Sequence, residues 1–163
     1  MARRVFFSFH YKPDNWRASQ VRNAGVVEGN VPVSDNDWET VTRGGDKAIE
    51  KWIADQIEGR SCTVVLVGTN TAGRKWITHE IKESWNSKKG VVGIRIHNLK
   101  DRDQKQSLRG GNPFDYLSIG EKKLSPIVRL YDPPATESTK VYAYIKYHLA
   151  DWVEEAIEIR NNT

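Results

Sequence analysis

Hydrophobic positions change their period along this chain, and the changes mark its elements. Residues 3–9 form a short β-branched and aromatic run ending in Ser8-Phe9-His10-Tyr11, which predicts a first strand opening into a loop. Asp14 stands where a cap would start a helix carrying Trp16 and Val21 and stopping near Asn23-Ala24-Gly25. Residues 26–33 predict a second strand, interrupted by Gly29 and Pro32. Ile49, Trp52, Ile53 and Ile57 repeat with helical spacing from Asp46, and Gly59 stops that helix.

Cys62–Val67 is apolar on both faces, the pattern of a strand buried between two layers. A polar loop over 68–75 leads to a helix over 76–87 with Ile77, Ile81 and Trp85 on one face. Residues 91–96 predict another buried strand, with Arg95 its one charged position. Residues 98–126 are rich in Gly, Asn and Asp and carry no regular period, and 127–131 predict a last short strand. After Pro133-Pro134, Val141, Ile145, Leu149, Trp152, Val153 and Ala156 give a helix over 136–160 a buried stripe.

Strands that alternate with helices require a mostly parallel sheet covered on both faces. The expectation is therefore one α/β domain spanning residues 1–163, three-layered and flavodoxin-like, with about five strands and an irregular insertion at 98–126. Ligands in such sheets bind outside the carboxyl ends of the strands. That places the residues to inspect at 8–14, 34–46, 68–76 and from His97 onward.

The formal net charge of +4 favours anionic partners only slightly, because basic and acidic residues are interleaved. Nucleic acid is not an expected partner. No apolar run approaches the roughly 20 residues that span a bilayer, so no membrane contact is expected. His10, Lys12 and Asp14 fall where a signal peptide would be apolar, and Cys62 has no second Cys to pair with. Those features predict a cytoplasmic protein.

Several chemistries common on this fold are absent. There is no GxxxxGK[ST] loop and no GxGxxG, and the strand ends lack the carboxylates of a phosphoacceptor site. His10, His79, His97 and His148 are scattered, so no metal site is expected. Cys62 lies inside a strand, and Ser8 has no evident base. Trp76 and Glu80 remain, one helical turn apart at the edge of the Ile77/Ile81 stripe. An indole beside a carboxylate can seat a flat cationic ring. It can equally be half-buried packing beside a solvated Glu. An ordinary Glu, with a pKa of about 4.3, is ionised at neutral pH.

Two segments together resemble a TIR domain. Val5-Phe6-Phe7-Ser8-Phe9-His10 is similar to that family's first strand, and Lys75-Trp76-Ile77-Thr78-His79-Glu80-Ile81, following the buried strand and its loop, resembles the Trp-x-x-x-Glu helix. Ile77 stands where many members carry Cys. The later Gly111-Asn112-Pro113-Phe114-Asp115-Tyr116-Leu117 resembles the TIR-like proteins of bacterial Thoeris anti-phage systems. The resemblance implies cleavage of NAD+ at the nicotinamide–ribose bond with Glu80 as the catalytic residue. NAD+ would be the substrate, and no cofactor is implied. Ser8, Phe9, His10 and Tyr11 after the first strand, with Thr69, Arg74 and Trp76 around the helix start, would bind that substrate. A cyclic or modified ADP-ribose would then diffuse to a separate effector protein, and self-association could accompany activation. A non-catalytic TIR-like interaction module is the alternative.

Overall fold

The computed structural model describes residues 2–30, 35–115 and 117–163, with 35–37 as backbone only. Its spine is a four-stranded parallel sheet in the order β1 (Val5–Phe9), β2 (Cys62–Val67), β3 (Gly90–Arg95), β6 (Leu130–Tyr131). β2 and β3 are buried along their whole length, as the two-faced apolar runs require.

Among the described residues the sheet has four strands where about five were expected, because 26–30 of the second expected strand form no ladder. Over 26–30 it is reduced to one parallel bridge between Arg4 and Glu28, and 31–33 lie outside the described residues. Glu28 exchanges hydrogen bonds with Val5 N–H at 2.8 Å and Arg3 C=O at 2.9 Å. One step on, the Asn30 side chain accepts from Phe7 N–H at 2.9 Å, taking the place of a backbone carbonyl. With that bridge outside β1, the strand order is still the flavodoxin-like one.

One face of the sheet packs Val5, Phe7, Val64, Leu66, Val92 and Ile94 against α1 (Tyr11–Asn23) and the long α5 (Ser138–Asn161). All six stripe residues expected on the C-terminal helix are buried there. The other face packs against α3 (Asp46–Ile57) and α4 (Lys75–Asn86). A further helix, α2 (Asp35–Arg43), lies in a stretch to which the sequence pattern assigned no element. The α1 helix begins at Tyr11 with His10 as its cap residue, so Asp14 lies inside the first turn rather than capping it.

The irregular segment is part of the core. Phe114, Leu117, Leu124 and Val128 close over the face of β2 and β3 that α4 leaves open. Phe114 comes so near the sheet that a Cβ at Gly93 would meet its ring at 2.8 Å. A two-strand hairpin, β4 (Ser118–Ile119) with β5 (Lys122–Lys123), folds the segment back on itself. The last expected strand shortens to Leu130–Tyr131. Among the described residues, no helix is long and apolar enough to cross a membrane.

Candidate functional site

The buried stripe of α4 is Ile77, Glu80, Ile81, Ser84 and Trp85, so a carboxylate occupies a core position of the helix. Glu80 is only 9% exposed, whereas its relation to Trp76 suggested the edge of the stripe. The cause is β1, which runs beneath this turn and presents Ser8, itself 1% exposed. The Ser8 hydroxyl donates to Glu80 Oε1 at 2.7 Å. One turn on, Ser84 Oγ donates to the Glu80 carbonyl at 2.6 Å and meets Thr63 Oγ1 from β2, also at 2.6 Å. A polar seam thus runs through the helix–sheet interface with Glu80 at its carboxyl-edge end.

Burial pushes the Glu80 carboxyl up to about 8, against the Ser8 hydrogen bond, which favours the ionised form. The unliganded side chain therefore keeps its proton at neutral pH, contrary to the ordinary value assumed from sequence. This corner holds the most perturbed carboxyl of the molecule among the described residues.

The other predicted residues surround this corner unevenly. His10 follows β1; its Nδ1 is buried without a partner among the described residues. Burial, then the Arg74 charge, lowers its pKa against the opposing pull of Asp14, so His10 is neutral at pH 7. Arg74 is exposed, with Nε donating to the Asn70 carbonyl at 3.1 Å. Phe9 and Tyr11 stack with ring centres 6.2 Å apart, and Tyr11 is exposed. Trp76 is half-buried against the α3 group of Phe6, Ile49, Ile53 and Ile57, with Lys75 Nζ over its ring and His79 at its edge. Thr69 is turned away: its hydroxyl donates to the Leu108 carbonyl. The structure thus brings Ser8 to Glu80 and His10 to Arg74, and gives Thr69 to a neighbouring loop.

Sequence reasoning missed a second buried carboxylate at the same edge. Asp14 is 1% exposed and pairs with Arg17 at 3.0 Å. Arg17 also donates to the carbonyls of Leu99 at 2.8 Å and Lys105 at 2.9 Å, fastening the following loop over the strand ends. The carboxylate lies on Gly68, where a Cβ would come within 2.1 Å of Oδ2, so only glycine fits. The i, i+3 spacing of Asp14 and Arg17 was the available signal. Among the described residues, no three of His, Cys, Asp and Glu gather to hold a metal ion. An open groove of about 590 Å³, lined by Trp16, Lys100 and Gln106 among others, contains none of these site residues.

Residues 6–101 match the family model of the TIR-like domain of the Thoeris protein ThsB. The chain belongs to that family. A relative from Bacillus cereus (strain MSX-D12), named "Putative cyclic ADP-D-ribose synthase ThsB1", is 34% identical over 137 residues, covering 81% of this chain and 71% of the relative. The span matched to the ThsB TIR-like model runs from β1 into the loop held by Arg17. It contains Ser8, Asp14, Glu80 and Arg95, while the segment carrying Phe114 and the whole of α5 lie beyond it.

Proposed function

We propose that this protein cleaves the nicotinamide–ribose bond of NAD+ and closes the ADP-ribose into a cyclic signal that a separate Thoeris effector reads. The observation that carries this reading is Glu80, buried on α4 at the carboxyl edge of the sheet and hydrogen-bonded to Ser8. Membership of the ThsB TIR-like family and the printed name of the Bacillus cereus relative support it.

The chemistry follows from charge. The nicotinamide ring nitrogen is cationic, so the leaving group takes the electron pair of the breaking C–N bond without acid assistance. Positive charge then develops on the ribose, and an anion held beside it in a water-poor site stabilises it strongly. Glu80 supplies that anion once deprotonated. A cationic ring placed against it favours the ionised form, so substrate binding itself expels the proton. NAD+ is the substrate, and the step uses no cofactor. If a nucleophilic atom of the adenosine half captures the ribosyl cation the product is cyclic; capture by water gives linear ADP-ribose. His10, Arg74, Tyr11 and Trp76 border the corner on this reading, and Ser8 positions the carboxylate.

Purified protein, and lysate from phage-infected cells expressing it, should release nicotinamide and form an ADP-ribose derivative identifiable by mass spectrometry. Intact NAD+ in both, alongside a functional effector, would make the protein a non-catalytic interaction module. Self-association on activation belongs to the same reading and is checked by sedimentation of protein from infected and uninfected cells.

A further inference from the structure

Arg95 ends β3 and is 7% exposed. Its Nε is buried without a partner, and its guanidinium has no hydrogen bond or ion pair among the described residues. Asp132 and Asp115 are near enough to favour its charge, but Asp132 is engaged with Arg109 at 3.5 Å. His97, on the same side of the chain and 8% exposed, also has its Nδ1 buried without a partner among the described residues. Arg95, Arg109, Arg17 and Asp132 all influence it. A guanidinium does not give up its proton in a protein, and buried polar groups are almost always satisfied. An acceptor is therefore missing from this cluster.

The cluster's chemistry narrows what that acceptor is. The planar fork of Arg matches a phosphate with two parallel hydrogen bonds, and a neutral His adds a further donor. The Arg109–Asp132 pair is long and largely exposed, so it exchanges easily for a stronger anion. Position narrows it further. Ser8 pairs in register with Val65, and Val65 with Gly93, two residues before Arg95. Ser8 and Arg95 therefore belong to the same face of the sheet, two strands and two residues apart. Strand spacing and rise put their Cα atoms roughly 12 Å apart. A dinucleotide with its ribose at one of them has its phosphates within reach of the other.

We propose that Arg95, with His97 and Arg109 beside it, binds the pyrophosphate of the dinucleotide whose nicotinamide–ribose bond lies at Glu80. This rests on the NAD+ reading above, and the ligands chosen to test it separate the two. Inorganic pyrophosphate and ADP-ribose carry the anion without the bond to be cleaved; nicotinamide riboside carries the bond without the pyrophosphate. Calorimetric titration should show the first two binding the wild type. Arg95→Met should weaken both by about tenfold to a hundredfold, the range for charge-assisted hydrogen bonds, and leave nicotinamide riboside affinity unchanged. If Arg95→Met does not fold, Arg95→Lys keeps the charge without the two-pronged geometry and should lose about tenfold. Equal affinity of wild type and variant for pyrophosphate and ADP-ribose overturns the site, as does a wild type that binds neither. Arg95-dependent binding in a protein that leaves NAD+ intact sustains the anion site and overturns the NAD+ reading instead.

Discussion

Two carboxylates are buried at the same edge of the sheet, and they are held in opposite ways. Asp14 sits against Gly68 with a guanidinium at 3.0 Å, so its charge is compensated. Glu80 has a neutral hydroxyl as its hydrogen-bond partner, Ser8 at 2.7 Å. Burial raises the carboxyl pKa at both, but at Asp14 the Arg17 hydrogen bond and charge pull it back. At Glu80, among the described residues, only the Ser8 hydrogen bond opposes burial, and the value is pushed up to about 8. A paired buried carboxylate holds architecture together. An unpaired one keeps its proton until a cation arrives to favour the ionised form, which suits it to an electron-poor ribose.

The first way to break this comparison is to neutralise the paired member. Asp14→Asn leaves buried Arg17 with only the partly exposed Asp101, 3.7 Å away, as counter-charge, and breaking a buried pair typically costs about 3–5 kcal/mol. Urea unfolding should show that loss, and hydrogen exchange should rise over the loop that Arg17 fastens through Leu99 and Lys105. A variant as stable as the wild type would mean that the pair is not structural.

Neutralising the unpaired member should do the reverse. Glu80→Gln keeps the shape and the Ser8 hydrogen bond but removes the anion, so NAD+ turnover should fall about 10²–10³-fold, or roughly 3–4 kcal/mol. Its stability should not fall with it. The folded carboxyl binds its proton more tightly than the unfolded one, so between the unfolded value of 4.5 and the folded value of about 8 the native state holds the extra proton. Across that window, wild-type stability should decline by about 1.4 kcal/mol per pH unit from this group alone. Glu80→Gln lacks that slope, so its melting temperature should exceed the wild type's increasingly from pH 6 to pH 8. Identical melting profiles would place Glu80 in solvent.

This contrast was only partly legible in the sequence. Alternating apolar periods revealed a parallel α/β sheet because burial on both faces leaves no other pattern for Cys62–Val67 and its neighbours. The second strand was misread because Asn30 replaces a ladder carbonyl with its side chain, which no periodicity records. Residues 98–126 read as an insertion because Phe114, Leu117 and Leu124 are spaced irregularly, yet they are core. Glu80 was found through its neighbours in the motif. Its burial was missed because helix spacing alone does not tell where β1 passes, and β1 brings Ser8 across 72 positions of sequence. The Asp14–Arg17 pair was local and visible, but its burial under a distant loop was not.

The smallest change sharpens the comparison most, because it alters the Glu80 partner and leaves the charge itself. Ser8→Ala removes the one hydrogen bond that lowers the Glu80 pKa, so that pKa should rise further. A hydrogen bond to an ionised group is worth about 1.5–3 kcal/mol, or about one to two pH units. The rising limb of kcat/KM against pH, which reports the free enzyme, should sit near pH 8 in the wild type and move alkaline by that amount. Activity at pH 7 would then fall about tenfold or more while activity at high pH recovers. Ser8→Thr restores a hydroxyl on a β-branched side chain suited to a strand, and should return the limb toward its original position. A merely structural serine would lower activity at every pH alike, leaving the limb in place.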